Sequence, residues 1–363
     1  MKALHMIRLS IIPLLVGLGT IPPCHAFEWN GSSGPDFSAP SNWTGKPPAA
    51  NSVNSGDLFI ANAQNSPLVY SEADGKTFFE CADFKVSRNN RGGELKISGG
   101  ELTVASTLSL VVGQNNNQTS TLTLTGGKLV LNSRDDAKPG ERNFRIGNGP
   151  LPHTKGILNM SGGILVINPP GTAELGGFII ANDGASGRVT LTGGILVVAS
   201  RYGTAFQPLN GRGVGILTFG QGDGVFMQTD SKQIIFGQGG GSASYIDFLA
   251  GSRGQLSLNE ATEEDYVAWV KAGKIRLNGQ PTTPDKFRFI NLPPQGIYLL
   301  ATPYSLSVRP AFPSPQNEPH KIDPNNRSVP DPSSLRTLPS PRLRPPRFPT
   351  YPIGSPSRES ERG

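Results

Sequence analysis

The sequence predicts an all-β fold in which repeated coils stack as a parallel β-solenoid. Three observations point there. A unit of strand, double glycine and strand occurs four times. The composition is rich in turn formers and thin in charge: of 363 residues, 45 are glycine, 33 are proline and 17% are charged. The residues after the last unit change texture, as the terminal cap of a repeat array does.

Residues 1–26 read as a secretory signal. Lys2 and Arg8 supply the basic start, and "LSIIPLLVGLGTI" is an apolar run too short to span a bilayer. "CHA" ends in the small-x-small pattern of a signal cleavage site, which predicts a mature chain beginning at Phe27. The rival, a lipoprotein acylated on Cys24, fits poorly with the prolines just before that cysteine. No later segment is long and apolar enough for a transmembrane helix.

Residues 27–93 are expected to form an N-terminal cap and the first strands. Trp29 and Trp43 are the large apolar residues of a Gly-, Ser-, Asn- and Pro-rich stretch. They suit the lid of an open β stack, with an exposed sugar-stacking pair as the less favoured reading.

Residues 94–241 carry the repeats: "ELKISGGELTV" from Glu94, "TLTLTGGKLVLN" from Thr121, "ILNMSGGILVIN" from Ile157 and "RVTLTGGILVVA" from Arg188. Their glycine pairs are Gly99–Gly100, Gly126–Gly127, Gly162–Gly163 and Gly193–Gly194, spaced 27, 36 and 31 residues apart. A short apolar run follows each copy: "LSLVVGQ", "NFRIGNG", "FIIANDG" and "GILTFGQGDG", with "IIFGQGGG" as a further relative. The double glycine fits the corner of a coil or the turn of a hairpin. Its flanking parity excludes one uninterrupted strand, and the local pattern leaves the choice between coil and hairpin open. Second strands apolar on both parities, and variable loops at corresponding places, favour the solenoid.

Residues 242–301 are expected to be a C-terminal cap. "ATEEDYVAWVKAG" predicts its short helix, N-capped by Thr262, with Glu263, Glu264 and Asp265 in the first turn and Gly273 at the end. Residues 302–363 hold 15 of the 33 prolines and predict a disordered tail.

The repeats resemble the "G-x-L-x-[IM]-[ST]-G-G-x-L-x-V" units of large secreted bacterial proteins, of planctomycete and verrucomicrobial type. Those units are similar to autotransporter-associated β-strand repeats and often sit in proteins with a PEP-CTERM sorting signal. "YIDFLAGSRGQLSL…DYVAWVKAGKIRLNG", Tyr245 to Gly279, is similar to their usual ending. The resemblance covers about residues 27–301 and implies a right-handed solenoid, export and a role outside the cytoplasm; it implies no enzymatic activity. "SVPDPSSL" from Ser328 resembles the start of the sorting signal, but no apolar segment follows. A shifted reading frame after this point is the expectation, and another frame of the gene should then encode an apolar segment of about 20 residues.

Chemistry is hard to find. The mature chain keeps only Cys81, expected to be a buried hydrophobe among Phe78, Phe79 and Phe84, and only His153 and His320. A glycosidase needs paired carboxylates. Glu94, Glu101, Asp135, Asp136, Glu141, Glu174, Asp183 and Asp223 lie at differing offsets from the glycine pairs and predict solvated charges instead. Asn115 to Asn117 read as a stacked ladder or a turn. No phosphate loop, zinc motif or calcium nonapeptide occurs, so no catalytic residue, metal or cofactor is expected. The formal charge of +6 sits in the signal and tail, so no nucleic-acid partner is expected.

The expectation is a secreted, non-enzymatic structural protein of a surface or matrix, with extracellular polysaccharide or other surface proteins as partners. A carbohydrate-active β-helix enzyme or carbohydrate-binding module is the alternative. An autotransporter passenger would call for a C-terminal barrel of alternating strands, which the sequence lacks.

Overall fold

A computed structural model describes residues 27–301 except 30, 45–51, 54–57, 61–66, 89–90, 115–116, 134–142, 152, 169–176, 201, 209–212, 232, 238–242 and 293–296. The signal segment and the Pro-rich tail therefore lie outside the described residues. The fold is a parallel β-solenoid of about six turns, with one short helix. Each full turn contributes one strand to each of three parallel sheets.

The first sheet stacks Leu68–Tyr70, Glu94–Ile97, Thr119–Leu124, the first half of Lys155–Ile167, the first half of Ser186–Val198, Gly215–Phe219, Tyr245–Phe248 and Ile275–Leu277. The second takes up the chain after each corner: Glu101 pairs with Lys128, Lys128 with Ile164, Ile164 with Ile195, Ile195 with Val225 and Val225 with Gln255. The third stacks Phe27–Trp29, Leu58–Ile60, the ends of Lys76–Arg88 and Glu101–Gln114, then Phe144–Gly149, Phe178–Asp183, Thr204–Pro208 and Ile234–Phe236.

The pairing excludes the hairpin. A hairpin would set Leu124 against Leu129. Instead Leu124 pairs in parallel with Ile97 and Met160, while Leu129 pairs with Leu102 and Leu165. The parity argument needs one correction, because Lys155–Ile167 and Ser186–Val198 each run as a single strand through the corner. Their mutual register shifts at Ser161 and Ile164, and this irregularity absorbs the odd spacing.

Stacking places equivalent side chains on top of one another. Leu95, Leu122, Leu158, Val189, Leu217, Ile246 and Ile275 form one register column and are buried throughout. Fully burying such a side chain contributes about 1.5–3 kcal/mol. A parallel column runs Ile97, Leu124, Met160, Leu191, Phe219, Phe248 and Leu277, in which Phe219 and Phe248 stack at 4.5 Å. Loop length does not disturb these columns: the register holds although the glycine pairs stand 27, 36 and 31 residues apart.

The second strands are apolar on both parities, but only one parity enters the core. Leu129, Leu165 and Leu196 are fully buried; outward, Val166 and Val197 are partly shielded and Ile164 and Ile195 are exposed.

Two repeat assignments change. "GILTF" is not a third-sheet strand: Gly215–Phe219 stacks on Gly187–Leu191 and opens a fifth unit. Its corner, Gly220–Gly224, replaces the double glycine, and Val225–Gln228 follows in the second sheet. The third-sheet strand of the fourth unit is Thr204–Pro208, and Ile234–Phe236 stacks on it. The stack also continues past residue 242. Tyr245–Phe248 and Gln255–Leu258 complete a sixth unit before the helix begins.

Both ends are closed. Trp29 is fully buried opposite Trp43, whose indole N–H donates to the Phe37 carbonyl at 2.9 Å. Phe37 meets the rings of Trp43, Tyr70 and Phe79 at 5.5, 5.3 and 5.8 Å and plugs the first coil. At the other end, helix Glu263–Lys271 stands in chain order where a third-sheet strand would be. Thr262 and Asp265 form its capping box. Tyr266 anchors it: the side chain is fully buried, donates to the Leu256 carbonyl at 3.4 Å, and burial pushes its phenol well above the ordinary value. Ile297–Ala301 then pairs antiparallel with Gln255–Leu258 and ends the parallel second sheet.

Candidate functional site

The eight corner glycines form two columns, and the columns obey different constraints. Gly100, Gly127, Gly163 and Gly194 have φ of 66°, 64°, 73° and 75°, the left-handed region that a side chain resists. Their partners Gly126, Gly162 and Gly193 have no such φ. A Cβ at any of the three would lie 2.5 Å from the carbonyl oxygen of Ser98, Thr125 or Ser161 in the turn below. The preceding Ser or Thr ties the corner down: Ser98 Oγ donates to the Tyr70 carbonyl and Thr192 Oγ1 to the Met160 carbonyl, each at 3.2 Å. These residues shape the backbone and present no reactive group.

The last two corners differ. Gly222 pairs with Ser252, and Arg253 grips Asp223 through two hydrogen bonds of 2.5 and 2.8 Å. The guanidinium holds the Asp223 carboxyl below its ordinary range. The closing "RLNG" is a two-residue hairpin turn. Asn278 and Gly279 both have positive φ, 53° and 72°, between the paired residues Leu277 and Gln280. Asn278 Oδ1 accepts from the Ala250 N–H, Asp247 from the Gly279 N–H, and Arg276 lies 4.0 Å over the Tyr245 ring.

The remaining sequence candidates do not converge. Glu101 sits between Lys76 and Lys128 of the adjoining turns at 3.1 and 3.6 Å; the Lys76 hydrogen bond, then the charge of Lys128, depress its pKa. Asp183 takes a positive φ of 62° at a turn. Glu263 and Glu264 are exposed in the first turn of the helix. Cys81 is buried, and His153 is exposed. Trp29 and Trp43 are inside, so neither offers a face to a sugar. Asp135, Asp136, Glu141, Glu174, Asn115 and Asn116 lie outside the described residues. Among those described, no cluster of His, Cys, Asp or Glu could hold a metal ion, and no helix is long and apolar enough to cross a membrane.

An amide ladder appears where the sequence did not announce one. Gln114, Asn148, Asn182 and Gln207 occupy one register at the end of the third sheet. Asn182 donates to Asn148 Oδ1 at 2.6 Å.

One concavity on the first sheet stands apart from this scaffold. A groove of about 390 Å³ crosses the beginnings of its strands. One wall is the row Thr119, Lys155, Ser186; the other includes Ile157, Arg188 and Ile216. Between the rows, Gly156 and Gly187 face inward, because a Cβ there would strike third-sheet backbone. Lys155 and Arg188 are exposed, and neither has an ion-pair partner among the described residues. They are 33 positions apart in the chain, and only the register makes them neighbours.

Comparison with family models, with curated proteins and with solved structures finds no match, so the functional reading rests on this chain's own residues.

Proposed function

We propose that this chain is a secreted, non-enzymatic β-solenoid that serves as a structural protein of a cell surface or matrix and holds extracellular polysaccharide or other surface proteins. One observation carries the reading: the repeated residues are consumed by stacking. The glycine corners, the Leu and Phe columns, the Asp223–Arg253 link and the Asn278–Gly279 turn each serve the rungs. What remains for partners is a long, regular outer surface. Export is supported by the basic start, apolar run and "CHA" of residues 1–26. The resemblance to secreted bacterial repeat proteins agrees with this and extends it to a PEP-CTERM-type tail.

The test is a glycan-array and polysaccharide-degradation screen on the purified full chain. Binding to extracellular glycans without release of products is the expected result. Product release from any polymer would replace this reading with a carbohydrate-active enzyme.

A further inference from the structure

We propose that the groove at the start of the first sheet is a binding site for an acidic polysaccharide, a glycan bearing carboxylate or sulfate groups, seated on Lys155 and Arg188. This rests on the surface-binding reading above and names its ligand class and place.

The shape suits a chain molecule. The groove runs along the stack from the rung of Thr119 to that of Ile216, three rung steps, or about 14 Å. It is open at the surface and floored by peptide groups, because Gly156 and Gly187 turn inward. Extended polymers fit such a trough better than compact ligands.

The charges suit anions that recur along such a chain. Lys155 and Arg188 stand one rung apart and two residues along, roughly 8 Å between their backbone positions. They occupy opposite walls. Among the described residues, no carboxylate lines the groove. Lys155 offers a compact point charge and Arg188 a planar fork matched to carboxylate and sulfate oxygens. Ile157 and Ile216 flank Arg188 and give apolar surface for the C–H face of a sugar ring. Thr119 and Ser186 flank Lys155 and supply hydroxyls.

The ladder also supplies the test residues. Lys155→Ser copies Ser186 above it, and Arg188→Thr copies Thr121 two rungs below, so the fold already accepts these side chains in these rows. The full chain is titrated calorimetrically with an oligogalacturonate, a carrageenan oligosaccharide, which carries sulfate and no carboxylate, an uncharged cello-oligosaccharide and a DNA oligonucleotide of similar charge. The expected result is binding of one or both acidic glycans that weakens with salt. Which of the two binds separates carboxylate from sulfate recognition. The double variant K155S/R188T should bind at least about tenfold more weakly with an unchanged thermal midpoint, and K155R, which keeps a cation on that wall, should keep the affinity.

No binding of either acidic glycan, or undiminished binding by K155S/R188T, overturns the proposal. Equal binding of the oligonucleotide, lost in the same variant, also overturns it by reducing the groove to an unselective cationic patch. Glycan binding that survives the double variant leaves the surface-binding reading standing and removes only this site. Product release would do the reverse.

Discussion

Gly126 and Gly127 are neighbours in sequence, yet they are glycine for different reasons. Gly127 holds a left-handed φ of 64°, and a Cβ there would meet Gly99 backbone at 2.5 Å. Gly126 holds an ordinary φ but presses on the Ser98 carbonyl. Gly127→Ala should therefore cost at least about 2 kcal/mol in urea unfolding, since left-handed strain alone costs about 1–2 kcal/mol. A loss below about 0.5 kcal/mol would mean the corner relaxes freely. Ala181 gives the contrast. It holds a φ of 62° in the column where Gly113 and Gly147 hold 79° and 78°. Ala181→Gly relieves about 1–2 kcal/mol of strain, loses about 0.8 kcal/mol of methyl burial and adds about 0.5–1 kcal/mol of chain entropy. The expected change is within about 1 kcal/mol of zero. In the core column, Leu158→Ala should cost about 2–5 kcal/mol, because Leu122 and Val189 are held by their own rungs and cannot close the cavity.

Rungs of the second sheet carry their charge as a short ladder, Lys76–Glu101–Lys128. Because the folded pKa of Glu101 is depressed, its contribution is present above the unfolded pKa of about 4.3 and fades as pH falls through the lower folded value. Solvent screens the ladder, with Lys76 76% exposed, so Glu101→Gln should cost less than about 1 kcal/mol at pH 7. In paired urea titrations that difference should shrink as pH falls through the depressed folded value and vanish once both states are protonated; a difference that persists there would make the effect one of packing. The same element shows what was legible in sequence. The double-glycine corners and Leu columns could be read because strand, corner and strand are contiguous. The fifth unit is not legible because Gly220–Gly224 replaces the glycine pair, so "GILTF" carries no marker and reads as the run that follows the fourth copy. The groove was illegible for another reason. Lys155 and Arg188 meet only through register, and repeat spacings of 27, 36 and 31 conceal register until the strands are paired.

At the scale of the whole molecule, each turn touches mainly the turns above and below it, so stability is close to a sum over turns and their interfaces. This makes the period a testable quantity. Lys155 pairs with Ser186 and Ile157 with Arg188, so residues 155–185 make up one full turn. Deleting them puts Ser186 where Lys155 stood, above Thr119, and sets Val189 on Leu122 in the core column. The shortened chain should fold cooperatively with a β-type circular dichroism spectrum. Its urea m value should fall by roughly a sixth, in step with the surface one turn of about six contributes. Deleting only 155–169 should fail. That cut removes the first- and second-sheet strands of one turn but keeps its third-sheet strand Phe178–Asp183, so the chain no longer makes whole turns, two core columns break and unpaired edges drive aggregation. If both deletions fold alike, the turns are not the independent units that the register describes. If both fail, the stack behaves as one indivisible cooperative body, and the additive picture gives way.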